Sequence, residues 1–485
     1  MKLPVWSAPI ERWKPSLPHQ LAIGLCLLTA PHLSHAADMR AKNPPLSLSQ
    51  LAGTSTLSLP NLDFEYSRTG TTNQAKGLPE FVAMSLQTSP QLRQSLAQFE
   101  TAQARVGVTR ADLLPNATVR IAKGPEESST TVSALPPSGN NKHQYSSRSY
   151  RLTQPVFNAP AFLEFDGSRK NRDAAALRLD AMREATALAT SKATIELATS
   201  RVTINFADQQ IEQLNKILTY LEARASAGAS SQADLERART RVLSARQIRL
   251  EQQTSYRNAM LELTRLTGNT PQAIHLPFLE LLPALPSHPQ EVRELVNNQN
   301  YELIALRKEV EAQQKQVSAE YSRYMPVVGV SLEKDTTENV RGINAPWTDT
   351  RALVVMNWGL SLGGKEYFSA QQAAAELRNR EAKLDDETQR AQQGTDIDLA
   401  LLQSTLLRLQ AAQAEQDAAE AVVNAVEAQL TSGRISSLLE ALDASERLFG
   451  ARYRLIQALG QQMKSHAQLL SRLGLLSHLQ NQAQL

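Results

Sequence analysis

The chain has one cysteine in 485 residues, aromatics make up only 5% of it, and no apolar run is long enough to cross a bilayer as a helix. Each shortage removes a class of explanation. The single cysteine, Cys26, lies near the N-terminus, so no disulfide can staple one copy of the chain. Stability must come from packing or from association. Few large rings means that any core is built from small and aliphatic side chains. A charge excess of one sign is also missing, at net +3, so there is no basic footprint for nucleic acid. Histidines 143, 275, 288, 466 and 478 are scattered, and none has the HExxH spacing of a zinc site. These residues carry no catalytic, metal-binding or cofactor-binding constellation, and enzyme function is not expected. One near-miss is Gly359, Gly364 and Lys365, which fit the spacing of a phosphate loop between a strand and a helix. Glu366 stands where Ser or Thr must ligate magnesium, and a carboxylate there repels phosphate.

What is present begins with an export leader. Lys2, Arg12 and Lys14 precede the apolar run Leu21 to Ala30, and Ser34-His35-Ala36 offers small residues at both positions of a cleavage site. Cleavage is expected after Ala36. Cys26 falls inside the leader behind Leu25, which is not the small residue that lipid attachment needs. Removing residues 1–36 leaves basic and acidic residues nearly equal.

The rest of the chain is written twice. A shift of 211 lays Leu92 on Leu303, Glu100 on Glu311, Gln103 on Gln314, Pro115 on Pro326 and Val119 on Val330. A shift of 206 lays Ala238 on Ala444, Arg241 on Arg447, Leu263 on Leu469 and Gly268 on Gly474. That period is too long for a solenoid unit. It marks a duplicated half, with the same order of elements in each copy.

The expected organisation follows. Residues 37–77, rich in Pro, Ser, Thr and Gly, form an extended arm. The first copy spans 78–268, a proline-rich connector spans 269–290, the second copy spans 291–474, and 475–485 is a tail. In the first copy a helix runs from near Pro79 to Leu113 and stops at Pro115. Strands follow over Ala117–Lys123 and Ser147–Val156, with residues 124–146 as a loop. A helix from about Glu164 to Ala227, on the order of 95 Å long, breaks at ASAGASS (225–231), and another runs over Gln232–Leu266. In the second copy the helix ends before Pro326. Strands cover Val327–Leu332 and Arg351–Leu362, with 333–350 as a loop. A long helix covers Tyr367–Thr431, with Gly394 its weak point, and a last helix runs to Leu473. Fold class is therefore mainly α with a small β part, a helix-strand-strand-helix-helix unit used twice.

Leu442, Phe449, Ile456, Met463 and Leu470 recur every seven residues, a coiled-coil seam. The faces around it are polar, which suits a wall of helices with water on both sides. Aromatics gather at the strands: Tyr150, Phe157, Phe162, Trp347, Trp358, Tyr367 and Phe368. Alternating strands with interfacial aromatics fit a membrane barrel, and a soluble hairpin with an ordinary apolar face fits the local pattern too. Four strands cannot close a barrel, since single-chain barrels need at least eight. If the strands enter lipid, several chains must share one barrel, and three would supply twelve strands.

Three stretches carry a resemblance to a known family: ADLLPNATV (111–119) with SRYMPVVGV (322–330), QPVFN (154–158) with NWGLSLGG (357–364), and SGRISSLLEALDASERLFGARYRLIQA (432–458). With the duplicated order behind an export signal, they make the chain resemble the TolC family of outer-membrane channels over nearly all of 78–474. The resemblance implies a homotrimer with a 12-stranded β-barrel in outer-membrane lipid and a coiled α-helical tunnel across the periplasm. It implies docking to a periplasmic adaptor (a membrane fusion protein) and an inner-membrane ABC transporter or proton-driven pump, with no chemistry in the channel. It places Glu440 and Asp443 at the periplasmic constriction, and Gly228, Asp234, Gly433 and Arg434 at helix tips that contact the adaptor. Independently of the resemblance, the clustering at the strands makes Tyr150, Phe157, Trp347 and Trp358 the candidate membrane-interface aromatics. Near the gate the sequence departs from the family. Leu430 stands where a tyrosine is usual, and one extra residue separates Gly433 from Glu440. The LLEALDA stretch and the lack of a lipid-attachment cysteine resemble the type I secretion branch, which exports proteins. A multidrug efflux outer-membrane factor and, from another class, a soluble periplasmic coiled-coil scaffold are the alternatives.

Overall fold

A computed structural model of the chain describes residues 64–65, 76–127, 142–228, 231–271, 273–275, 285–286, 288–340, 343–431 and 438–479. The expected leader, most of the arm, and Gly433 and Arg434 lie outside the described residues. The chain divides into residues 1–46 and 47–485, and every described residue belongs to the second unit.

The first copy contains α1 (Leu78–Thr88), α2 (Pro90–Ala111), β3 (Asn116–Glu127), β4 (Lys142–Phe157), α3 (Ala159–Ser226) and α4 (Gln232–Thr267). The second contains α5 (Pro289–Gln299), α6 (Tyr301–Ser322), β6 (Val327–Val340), β7 (Ile343–Asn357), α7 (Lys365–Thr431) and α8 (Leu438–Arg472). Before and between them lie β1 (Phe64–Glu65), β2 (Lys76–Gly77) and β5 (Ala273–His275). Helices α3 and α7, of 68 and 67 residues, are each about 100 Å long.

The boundaries have local causes. The expected helix 79–113 is two helices, because Pro90 lacks an N–H and cannot continue a helical ladder. Ser89 instead caps the second piece, its side chain accepting from the Leu92 N–H. Asn300 does the same between α5 and α6, accepting from the N–H groups of Glu302 and Leu303 at 3.0 and 3.2 Å. Pro115 and Pro326 separate the helices from strands that begin one residue later in both copies. Both copies also end alike, with Gly268 and Gly474 at φ +73° and +71°. That left-handed backbone ends a helix at least cost when no Cβ is present. Gly394 does not weaken α7, which runs through it unbroken. The missing Cβ makes room for the Arg472 guanidinium, which reaches Asp398 one turn on.

The strands are longer than expected. Much of the sequence read as loop at 124–146 and 333–350 is ladder, because polar strand residues resemble loop when one face meets water. The ladder runs β3-β4-β6-β7, antiparallel throughout. The second hairpin stops short of expectation, since β7 ends at Asn357 and residues 358–361 carry no regular structure. The connector holds an unforeseen strand. β5 lies between β1 and β2 of the arm, antiparallel to the first and parallel to the second.

The core sits midway along the coils. Phe81 and Val82 of α1, Ile274 of β5, Ile195, Leu197 and Ala198 of α3, Leu455 and Leu459 of α8, and Leu476 form one buried cluster. Val292 and Val296 of α5 join Leu399, Leu402, Leu469 and Leu473 in a second. Small polar residues fill α3 where helices approach closely. Thr186, Thr190, Thr194, Thr199 and Thr203 are buried, and each hydroxyl donates to the carbonyl four residues back at 2.8–2.9 Å. Burying them therefore leaves no donor unpaired. At Gly460 of α8 a Cβ would stand 2.8 Å from the Thr199 methyl. Few aromatics are needed because the helices come this close.

Candidate functional site

Two places concentrate the sequence-derived candidates: the strand wall and the helix tips. In an antiparallel ladder, residues directly opposite share a face. The register therefore sorts the wall completely. One face carries Val119 and Ile121 of β3, Tyr150 and Leu152 of β4, Val330 and Leu332 of β6, and Val354 and Met356 of β7. Their exposure is high for such residues: 61% for Val119, 69% for Ile121, 78% for Val354 and 62% for Met356. On β6 the apolar stretch Val328–Leu332 ends at Lys334, which stands opposite Tyr150 and Thr350. Beyond it the same face turns polar at Arg148, Thr336 and Thr348.

The other face is a lattice of paired charges. Arg151 and Arg351 flank Glu333 in one row, and Asp335 stands beside Asp349 in the next row of the same face. Arg151 meets Glu333 at 2.9 Å, while Arg351 reaches Asp335 and Asp349 at 3.5 and 3.4 Å. The Ser149 hydroxyl donates to Asp335 at 2.5 Å. A wall that is apolar on one side and charged on the other separates lipid from water. β3 and β7 are its edges. An open edge in hydrocarbon leaves backbone groups unpaired, so the wall is incomplete by itself.

The four aromatics expected at membrane interfaces are not equivalent. Tyr150 lies in mid-strand, opposite Val119 and Lys334, on the apolar face. Phe157 joins that face only because the register slips between Pro155 and Phe157, which sets it opposite Val328. A slip of this kind carries a side chain to the other face, and nothing in the sequence announced it. Trp347 lies on the charged face, its indole donating to Asp349 at 3.1 Å. Trp358 is beyond the strand and donates to the Tyr324 carbonyl at 3.1 Å. Leu360, Leu362, Tyr367 and Phe368 follow it and are exposed. This aromatic and aliphatic belt marks the junction between wall and helices. In the same turn Glu366 accepts from the Ser361 N–H at 3.2 Å. Its carboxylate occupies the helix start where a phosphate loop would hold phosphate.

At the first tip Gly228 turns the chain at φ +72°. Ser231 caps α4 by accepting from the Ala233 N–H at 3.1 Å. Asp234 sits in the first turn of α4, where a negative charge favours the helix end, and meets Arg237 at 3.6 Å. Glu440 sits in the first turn of α8 and is exposed, with no ion pair among the described residues. Asp443 differs. Arg241 of α4 binds it, and the same guanidinium meets Glu446 at 3.1 Å. The two carboxylates expected to act alike are therefore distinct: Glu440 has no ion pair among the described residues, and Asp443 shares Arg241 with Glu446. Arg241 is the residue the sequence reading missed. Its only trace was the repeat, which lays it on Arg447. Leu442, between the two acids, is fully buried with Leu214, Leu221, Leu235, Ala238 and Val242. That packing turns Glu440 and Asp443 outward.

Below the tips, the seam residues Leu442, Phe449, Ile456, Met463 and Leu470 are all buried. Glu184 of α3 is buried too. It accepts from the N–H groups of Leu476 and Ser477 at 3.0 and 3.1 Å and from the Ser477 hydroxyl at 2.5 Å. Loss of water raises its pKa above the usual carboxylate range, against the opposing pull of these hydrogen bonds. Among the described residues no helix is long and apolar enough to cross a membrane.

A family model described as outer membrane efflux protein matches residues 82–269 and 292–475. The protease secretion protein PrtF of Dickeya chrysanthemi is 23% identical over 402 residues, covering 81% of this chain and 86% of that protein. Among solved structures, the CmeC outer membrane channel of Campylobacter jejuni superposes with a TM-score of 0.71 at 14% identity, over 82% of this chain and 85% of that one. The outer membrane protein VceC of Vibrio cholerae gives 0.69 at 18% identity, over 82% and 96%.

Proposed function

This chain belongs to the outer membrane efflux protein family, and from that premise we propose that it is the exit duct of a type I secretion system. As a family member it is an outer-membrane channel with a periplasmic tunnel, a transport protein rather than an enzyme. The further reading is that three copies pool their strands into a 12-stranded barrel. Their coils line a tunnel, and the tips meet a periplasmic adaptor and an inner-membrane ABC transporter. Proteins are the cargo.

The observation that supports pooling strands between copies is the wall itself: four strands, two open edges, one apolar face and one charged face; the number three rests on the family. Residues 78–268 and 291–474 act as two halves of one working unit, each giving two strands and one coil. Protein cargo is supported by the likeness to the secretion protein PrtF and by the sequence of the second tip. The experiment is deletion of the gene. Loss of secreted proteins with unchanged susceptibility to small toxic compounds is expected. The opposite pattern would make this the outer-membrane factor of a multidrug pump, the reading favoured by the efflux family's name. Recovery of the chain in the soluble periplasmic fraction would remove both.

A further inference from the structure

The chain contains its own template for the seam between copies. β4 and β6 join the two halves of the wall, so the ladder between them is a junction of one repeat with the next. In a closed wall, β7 of one copy meets β3 of its neighbour, and that junction also joins one repeat to the next. The two hairpins are superposable in register. Asn116 of β3 corresponds to Val327 of β6, and through their ladder partners Thr153 corresponds to Asn357. Carrying the β4–β6 ladder through this correspondence gives one register for the seam.

Resting on the trimeric reading above, we propose that β7 pairs antiparallel with β3 of a second copy in that register. Asn357 then stands opposite Arg120, Met356 opposite Ile121, Val355 opposite Ala122, Leu353 opposite Gly124 and Arg351 opposite Glu126. The residues fit the assignment independently of the mapping. Met356 and Ile121 belong to the apolar face, and both are largely exposed within one copy. The seam covers each with the other along their common edge. Arg351 and Glu126 lie on the charged face, and the seam sets opposite charges side by side. Nothing lies within 4 Å of a Cβ built on Gly124, so that edge is open to receive Leu353. A slip of one residue would set Met356 opposite Arg120 or Ala122 and join apolar face to charged face.

The test is disulfide trapping, made clean by a native sequence whose one cysteine lies in the expected leader. Two matched variants are Val355→Cys with Ala122→Cys, and Met356→Cys with Ile121→Cys. Neighbouring pairs in an antiparallel ladder alternate between about 4.5 and 5.5 Å at Cα, so at least one is within disulfide reach. Two slipped controls are Val355→Cys with Gly124→Cys, and Met356→Cys with Lys123→Cys. Membranes are oxidised with copper phenanthroline and run on denaturing gels, with unheated, unoxidised samples reporting whether each variant still assembles. A ladder of covalent dimer and trimer from a matched pair, and none from the controls, is expected. Cross-linking in a control pair, or in no pair of an assembled trimer, overturns the register and leaves the trimer standing. Chains that run as monomers even without oxidation overturn both.

Discussion

In the coils, the seam residues Leu442, Phe449, Ile456, Met463 and Leu470 are buried. In the wall, Val119, Ile121, Val354 and Met356 face out, and Arg151, Glu333, Asp335 and Arg351 pair with one another on the opposite side. The two regions of one chain thus place apolar residues by opposite rules. The coil hides its seam from water within one copy. The wall can hide its apolar band only in lipid and its edges only against other copies. The difference lets the chain build a lipid-facing wall although no helix among the described residues is long and apolar enough to cross a membrane.

The comparison can be broken from either side. The largest effect is expected inside the coil. Leu455→Ala removes a fully buried side chain from the central cluster, at about 2–5 kcal/mol. The temperature at which the detergent-resistant assembly dissociates should fall accordingly. Val354→Lys on the band should cost about 2–4 kcal/mol at the membrane midplane, seen as lost assembly in the outer membrane. Glu333→Gln on the charged face should leave assembly intact and shift the ion selectivity of the pore in bilayer recordings. Equal assembly defects from these two wall variants would contradict the assignment of the faces. Gly460→Val adds methyl groups against Thr199, at about 1–3 kcal/mol, and should again lower the dissociation temperature.

Smaller effects separate neighbouring acids. Removing both Glu440 and Asp443 should weaken block by multivalent cations. Glu440→Ala alone should give most of that loss, because Arg241 already engages Asp443 while Glu440 has no ion pair among the described residues. Block that is unchanged in the double alanine variant would remove this pair from the constriction. Glu184 reads out the packing of α3 against Leu476 and Ser477. Its pKa is raised in the folded state, so its contribution to stability is greatest below the usual carboxylate range and fades as pH rises through the raised value. Relative to Glu184→Gln, the native chain should lose dissociation temperature as pH climbs from acid to neutral. A constant difference across that range would show that this group does not titrate as described.

The coils were legible because a seven-residue period and uninterrupted helix formers state their own geometry, and the repeat exposed the duplicated order. The strands were legible in place but not in length. Lys334, Thr336 and Thr348 read as loop because a polar ladder has no apolar alternation to reveal it. The break at Ser89–Pro90 was visible in the sequence and overridden by the helical pattern on either side. Trp347 was read as an interface aromatic because aromatics gather at the strands, and the register set it on the charged face.

The sequence by itself determined the class of the molecule. Long amphipathic helices, paired strands and too few strands to close a barrel are all local facts, each set by residue type and spacing. Only the tertiary structure decided which side of the wall is which, that Phe157 crosses to the apolar face, and that Arg241 claims Asp443 across 202 positions of chain. The reason is physical. A strand's faces depend on register, which one extra residue inverts, and an ion pair between distant helices depends on how their coils meet. Neither leaves a pattern along one segment.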